Sequence, residues 1–213
     1  DTARLFILSD TPPEKDFDWN DDGLEGSWRY LNRLYKLSQT IKGHEPKSFD
    51  QNISLSLVKT AHRYLESITK AYEVYAFNKV IAFCRELTKH IEDNLARTSR
   101  ESVLDALKIL IQTLNPIIPH LTHEMWNAVF GEETYVDDVL WPKVNKDYLE
   151  FDEISMAVQI NGKLKGTIQV KNNEMEEMVV KQSLALESVQ KTLNGAQPKK
   201  IIVVKNRIVS IVI

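Results

Sequence analysis

The sequence lacks several features that mark common protein classes. Its 213 residues include one cysteine, Cys84, so an internal disulfide and a cysteine-based zinc cluster are excluded. No apolar run approaches the ~18 to 20 residues that span a bilayer, so we expect no membrane partner. The 7 glycines and 7 prolines exclude collagen-like and low-complexity chains. The N-terminus shows no signal peptide and begins with Asp1 in mid-pattern, so we expect a fragment of a longer, cytoplasmic protein.

The motifs that carry most enzyme chemistry are also missing. No glycine-rich phosphate loop and no serine nucleophile elbow occurs. His120 and His123 are three residues apart and could share a helix face with a metal, but spacing supplies no third ligand. Cys84 lies on an apolar helical stripe, which favours a buried, unreactive thiol. We therefore predict no catalytic residue, no metal site and no cofactor within this chain.

The net charge of −3 is unevenly distributed. Residues 156–213 carry nine Lys and Arg against four Glu, a net charge of +5, while the rest carries 18 basic and 26 acidic residues, −8. Such asymmetry is typical of a basic region that meets a polyanion. The alternative is a solvated surface on which the two signs happen to segregate.

Residues 1–130 have the period of amphipathic helices. Apolar residues recur at spacings of three and four over about 24–41, 54–94, 102–114 and 121–130, with a turn expected within 71–76. The core stripe of the first of these helices is predicted to include Trp28 and Tyr35. Pro116 and Pro119 predict a break between the last two. Four to five helices of this length predict a helical bundle over residues 1–130, with Phe17 and Trp19 anchoring an acidic loop to it.

Beyond the bundle, the pattern changes from helical to alternating. Residues 131–153 lose periodicity and are interpreted as a linker that covers part of the bundle. From Ile154, alternating runs flank Asn161-Gly162, a strong hairpin signal, and a second hairpin is predicted around 205–207. A single helix ending at Gly195 is expected between them. The fold class is therefore a mainly α-helical bundle followed by a small α+β (ββαββ) domain over 154–213.

Basic residues in both parts are the candidate binding groups. Arg29 and Arg33 are four apart on one helix face and could bracket a phosphate or stack on a base. Their alternative is surface ion pairing with Glu25 or the acidic loop. In the small domain, both hairpins carry cations, which we expect to form one patch that contacts nucleic-acid phosphates, with the first two on one face. These residues are Lys163, Lys165, Lys199, Lys200, Lys205 and Arg207.

Several segments in a fixed order resemble one family, the bacterial-type leucyl-tRNA synthetases. The match includes a VQINGK segment and a Pro-Ile-Ile-Pro-His run, both of which recur in related class I synthetases. The combined order with the terminal hairpins favours the leucyl enzymes. The segments are Asp1–Phe6, Pro12-Pro13, Trp19, Gly23, Glu25-Gly26, Arg29–Leu34, Leu114–Trp126, Val158–Lys165 and Lys199–Ile213.

The resemblance implies a bundle of the anticodon-binding type followed by a C-terminal tRNA-binding domain. It implies a parent enzyme that uses ATP, with magnesium, to attach leucine to tRNA(Leu). Neither the HIGH nor the KMSKS motif of the catalytic domain occurs here, so the fragment is expected to be inactive alone. The implied partners are tRNA(Leu), recognised by backbone and elbow shape, and the catalytic and editing domains of the same chain.

The resemblance also assigns roles to individual residues. Arg29 and Arg33 match paired arginines placed near the tRNA in the family. Lys163 and Lys165 match a Lys-x-Arg/Lys segment after Asn-Gly, and Arg207 matches a lysine of the last hairpin. Two alternatives stay open: the equivalent region of a valyl or isoleucyl synthetase, and a protein-interaction module whose basic tip binds an acidic partner.

Overall fold

The chain forms two compact units, Asp1–Leu149 and Glu150–Ile213. The computed structural model describes residues 1–149, 153–172 and 174–213. The first unit is helical and the second combines strands and helices, so the predicted fold class is confirmed. No helix in these ranges is both long and apolar enough to cross a membrane.

Six α-helices make the first unit, and their starts follow from local sequence. The Asn20 side chain accepts a hydrogen bond from the Gly23 N–H at 2.7 Å and caps α2, while Asp21 and Asp22 lie in its first turn. Asp50 caps α3 in the same way, and Pro119 begins α6 after the predicted break. The helices are α1 Thr2–Asp10, α2 Asp21–Lys42, α3 Gln51–Glu73, α4 Phe77–Asn94, α5 Arg100–Leu114 and α6 Pro119–Phe130.

The helices enclose one apolar core. Each contributes residues at the spacing of a helix face, and the largest are completely buried. A polar pair crosses this core, where the Tyr30 hydroxyl lies 2.9 Å from Thr88 Oγ1, which in turn donates to the Cys84 carbonyl at 2.7 Å. Fully buried members include Leu34, Ile41, Leu65, Ile81, Leu107 and Leu110.

The core face of α2 differs from the predicted stripe. Trp28 is 56% exposed and Tyr35 46% exposed, whereas Tyr30 is 3% exposed. At about 100° per residue, Tyr30 shares a face with Leu34 and Ile41, and Trp28 falls on nearly the opposite side. The prediction that Trp28 belongs to the core was wrong, because α2 has aromatic residues on two faces and spacing alone does not rank them.

Residues 131–149 pack against the helices of the first unit. Val136 is buried at 3% exposure, and Gln112 Nε2 donates to the Leu140 carbonyl at 3.0 Å. Trp141 Nε1 donates to Thr69 Oγ1 at 3.0 Å. The segment interpreted as a linker therefore covers apolar surface on the bundle up to Leu149. The end of that interpreted linker at 150–152 lies outside the described residues.

The second unit is a four-stranded sheet with two helices on one face. The strand order is β2-β1-β4-β3, and β1 and β4 run parallel. Both predicted hairpins are present. Met156, Val158, Val179, Val209 and Ile211 form the core between sheet and helices. The elements are β1 Glu153–Ile160, β2 Lys163–Lys171, α7 Glu176–Ala185, α8 Glu187–Leu193, β3 Lys200–Val204 and β4 Ile208–Val212.

Two helices replace the single helix predicted between the hairpins. Leu186 has extended backbone angles, φ −60° and ψ 128°, which ends α7 and begins α8. The Ser188 hydroxyl then donates to the Lys165 carbonyl at 2.6 Å. A Leu186 methyl also lies 3.5 Å from the point where a Cβ on Gly166 would stand. The break brings α8 onto β2, and neither Pro nor Gly marks it in the sequence.

Candidate nucleic-acid interface

The arginine pair predicted on α2 lies on one exposed helix face, but each guanidinium has a carboxylate partner. Arg29 Nη1 is 3.6 Å from Glu25 Oε1, with both side chains about two-thirds exposed. Arg33 Nε lies 2.9 Å from both carboxylate oxygens of Glu92 on α4, and Nη2 also contacts that carboxylate. This hydrogen bonding raises the pKa of Arg33. Arg29 is therefore the more available cation of the two.

A groove of about 560 Å³ lies along this face, between α2 and the C-terminal end of α4. Its wall includes Trp28, which the structure places beside the arginines rather than in the core. Leu37 and Leu95 supply an apolar floor, and Lys36 adds a cation at the rim. Glu92, which pairs with Arg33, also lines the groove. The groove therefore combines an exposed indole and apolar surface with more positive than negative charge, a combination typical of sites for single-stranded nucleic acid.

Arg85 on α4 is a further cation close to this face. Its guanidinium carbon lies 4.3 Å from the Tyr30 ring centre, and burial lowers its pKa. Within the described parts of the chain, no carboxylate lies within ion-pair distance of Arg85. It borders a second cavity of about 330 Å³, together with Gly23, Ser27 and Asn78.

In the small domain, the Asn161-Gly162 turn lies at one end of the sheet, together with the C-terminus. Asn161 and Gly162 have φ of 46° and 80°, and the Ile213 N–H donates to Asn161 Oδ1 at 3.3 Å. The Lys199 N–H donates to the Val212 carbonyl at 2.8 Å. We call this the first end of the sheet. Its cations are Lys163, Lys165, Lys199 and Lys200.

The second hairpin turns at the opposite end. Lys200 pairs with Val212 at the first end, whereas Val204 pairs with Ile208 where the chain turns. Five residues of β4 separate the two ends, roughly 15 Å of strand. The expectation of one cationic patch is therefore wrong. Lys205 and Arg207 lie at this opposite end, which we call the second end of the sheet.

A β-bulge alters the first hairpin. The register runs from Val158 opposite Gly166 to Gln159 opposite Leu164, so Lys165 has no partner across the ladder. The prediction that Lys163 and Lys165 share a face rests on unbroken alternation, and the bulge breaks it. Lys163 is exposed, whereas Lys165 is partly buried.

The histidines and the cysteine do not form a metal or thiol site. Across the described residues, no group of three or more His, Cys, Asp or Glu is placed to hold a metal. His120 Nδ1 pairs with Asp1 at 3.0 Å, and His123 stacks on Tyr135. Burial raises the pKa of Cys84 to about 12, so its thiol stays protonated and unreactive at neutral pH.

Comparison with known proteins decides the family. A family model described as the anticodon-binding domain of tRNA ligase matches residues 55–180, more than half of the chain. The chain belongs to this family. This anticodon-binding domain resembles leucine–tRNA ligases along its entire length, so the resemblance predicted from the sequence motifs is confirmed.

Two curated relatives and one solved structure illustrate the likeness. The leucine–tRNA ligase of Wolbachia pipientis is 37% identical over 216 residues, covering 100% of this chain and 25% of that ligase. That of Agrobacterium fabrum is 35% identical over 225 residues, covering 100% and 26%. The chain thus spans about a quarter of the length of these relatives. The LeuRS chain of the Agrobacterium radiobacter LeuRS–tRNA–LeuAMS complex matches with a TM-score of 0.82 and 24% identity, over 99% of this chain and 28% of that one, which shows the fold.

Sequence reasoning missed three side chains of the bundle that the structure brings near the arginine pair. Lys36 lies two turns after Arg29 on the same helix face, and the 3.6-residue period was enough to find it. Glu92 and Arg85 lie on α4, more than 50 residues away in sequence. No local pattern indicates that α4 faces α2, so tertiary packing alone reveals these two.

Proposed function

We propose that this chain is the tRNA-binding, C-terminal portion of a leucine–tRNA ligase, which attaches leucine to tRNA(Leu) in the cytoplasm. The observation that carries the proposal is the family match, extended along the whole chain by leucine–tRNA ligase relatives. Those relatives favour a leucyl enzyme over the valyl and isoleucyl alternatives, and the ligase family offers no support for a protein-interaction module. ATP, with magnesium, belongs to the catalytic part of the longer enzyme, and the partners are tRNA(Leu) and the catalytic and editing domains.

Backbone recognition is the binding mode that the cations support. Lysines and exposed arginines neutralise phosphates, and this attraction does not depend on base sequence. The related solved structure is a complex that contains tRNA. Here the sheet presents cations at two ends about 15 Å apart rather than in one patch. We propose that the two ends contact different phosphates of the tRNA, and that the bundle contributes a third contact through Arg29, with Arg33 held beside it by Glu92.

The test separates the two ends. Binding of labelled tRNA(Leu), tRNA(Val) and an RNA duplex to the 213-residue chain is measured by fluorescence anisotropy over a salt series. Changing Lys163, Lys199 and Lys200 to Ala, or Lys205 and Arg207 to Ala, should weaken tRNA binding and reduce the salt slope by about one unit for each phosphate that is no longer neutralised. Because the proposed contacts recognise the shape of the tRNA backbone and not its base sequence, tRNA(Leu) and tRNA(Val) are expected to bind with similar affinity.

Lys191 supplies a matched control. It lies exposed on α8 and is ion-paired with Glu187, so Lys191→Ala removes one positive charge that belongs to neither set of end cations. Losses that simply follow the number of positive charges removed, one in Lys191→Ala and three or two in the end variants, would reduce the effect to net charge. Saturable tRNA binding that neither end variant weakens would contradict the assignment of these lysines and of Arg207 to the tRNA interface. In the full-length ligase, Lys163→Glu with Lys165→Glu should lower kcat/KM for tRNA(Leu) charging.

A further inference from the structure

We propose that the groove along α2 binds an unpaired RNA nucleotide, whose base stacks on Trp28 and whose phosphates contact Arg29 and Lys36. This inference rests on the proposed tRNA-binding function and names what this face of the bundle recognises. It differs from phosphate binding at the ends of the sheet, because stacking requires a base that is free to leave its helix.

The exposure of Trp28 is the first observation. Its side chain is 56% exposed on a helix whose opposite face is buried in the core. Leu37 and Leu95 continue the apolar surface into the groove floor. At about 560 Å³, the groove falls within the range of small-ligand sites and is large enough for a nucleotide. An exposed indole beside an apolar floor offers one face of a base a stacking surface.

The charges around the indole give the second observation. Lys36 has no ion pair among the residues that the structure describes, and it lines the same groove. Arg29 is held only by a 3.6 Å contact to an exposed carboxylate, a pair that a phosphate readily replaces. Arg33 is bound by Glu92 through forked hydrogen bonds and so forms the groove wall. A nucleotide that stacks on Trp28 would therefore find two available cations for its phosphates.

Asn32 adds a hydrogen-bonding group beside the indole. Its amide nitrogen donates to the Trp28 carbonyl at 2.8 Å, which fixes the side chain against α2. Its carbonyl oxygen remains as an acceptor for a base N–H. Indole, acceptor and cations complement the face of a base, its edge and its phosphate, whereas the backbone of a peptide carries no charge at each residue.

Trp19 shows that exposure alone does not make such a site. It is equally exposed, at 56%, but its Nε1 donates to Asp21 at 3.2 Å and its ring packs edge-on against Phe6. The surrounding loop carries Asp16 and Asp18. Carboxylates there repel a phosphate, so Trp19 is the matched control for Trp28.

The experiment measures binding of a labelled uridine octamer to the whole 213-residue chain by anisotropy, beside an abasic strand of equal length. Trp28→Leu should weaken octamer binding by at least about five-fold, without changing its salt slope or abasic-strand binding. Trp28→Tyr should retain most of the affinity, whereas Trp19→Leu should change nothing. Lys36→Ala should weaken both strands and lower the salt slope by about one unit.

Each other outcome overturns the inference. Equal effects of Trp28→Leu and Trp19→Leu, or equal losses on the octamer and the abasic strand, would show that no base stacks on Trp28. Failure of the unaltered chain to bind the octamer would leave a protein segment of the longer ligase as the occupant of the groove. The tRNA salt series reports the proposed function separately, so tRNA binding without octamer binding overturns this inference alone.

Discussion

At the scale of single residues, His62 connects the segment after α6 to the bundle by a hydrogen bond and a ring contact. Its Nδ1 accepts a hydrogen bond from the Asn145 N–H at 3.1 Å, and its ring lies 5.1 Å from that of Tyr148. An imidazole nitrogen accepts only when it is unprotonated. Burial lowers the pKa of His62, although the nearby Asp105 carboxylate acts in the opposite direction. The neutral form of His62 is thus part of the folded structure.

This coupling predicts a pH dependence of stability. Because the folded chain binds a proton on His62 more weakly than the unfolded chain, this stabilisation is present above the ordinary histidine pKa of ~6.5 and is lost as the pH falls below it. Urea unfolding at pH 7.5 and pH 5.5 should show a smaller loss of unfolding free energy for His62→Gln than for the unaltered chain. Identical losses in the two proteins would show that His62 is not linked to folding.

At the scale of elements, the hairpin turn and the start of α2 use glycine for different reasons. Gly162 has φ of +80° in the turn that directs Lys163. A side chain disfavours this conformation, so glycine is required there. Gly26 lies inside α2, and a Cβ at that position would meet nothing within 4 Å. Gly26 can therefore be replaced by alanine, and the replacement should make the helix more stable.

The change from glycine to alanine is therefore expected to affect stability in opposite directions at Gly162 and Gly26. Gly162→Ala should destabilise the small domain by about 1 kcal/mol or more, because alanine resists positive φ. Gly26→Ala should stabilise the bundle by about 0.5–1 kcal/mol, because alanine restricts the unfolded chain and favours helix. Amide hydrogen exchange read separately on β1 and on α2 would measure both. Stabilisation by Gly162→Ala would contradict the turn geometry.

At the scale of the whole molecule, charge is divided between two regions of opposite sign. The bundle side of the sequence is acidic, at −8, and residues 156–213 are basic, at +5. The acidic charge opposes the approach of RNA over distances set by salt, about 30 Å at 0.01 M and about 10 Å at 0.1 M. The isolated chain should therefore bind tRNA more weakly than its lysines alone would suggest.

Neutralising the acidic loop tests this long-range effect. Glu14→Gln, Asp16→Asn and Asp18→Asn should tighten tRNA binding a few-fold at about 0.05 M salt, with the difference disappearing near 0.5 M, where screening is nearly complete. Anisotropy titrations of the triple variant beside the unaltered chain measure it. Tightening of the same size at every salt concentration would indicate a direct contact rather than a field.

The sequence by itself determined the class and order of the elements. Periods of 3.6 and of 2 depend on local backbone geometry, so they located the bundle, both hairpins and the change of pattern near Ile154. The motifs from Asp1 to the VQINGK segment also identified the ligase family. Periodicity can be recognised from neighbouring residues alone, and the family motifs from a comparison of residues in order along the chain.

Tertiary structure alone decided which charged residues lie together. Strand pairing places Lys199 at the same end of the sheet as the Asn161-Gly162 turn and Arg207 at the other end, although hairpin signals by themselves suggested one patch. Packing of α4 against α2 buries Tyr30, exposes Trp28 and gives Arg33 its partner Glu92. Such contacts join residues that are distant in sequence, and local periodicity carries no information about them.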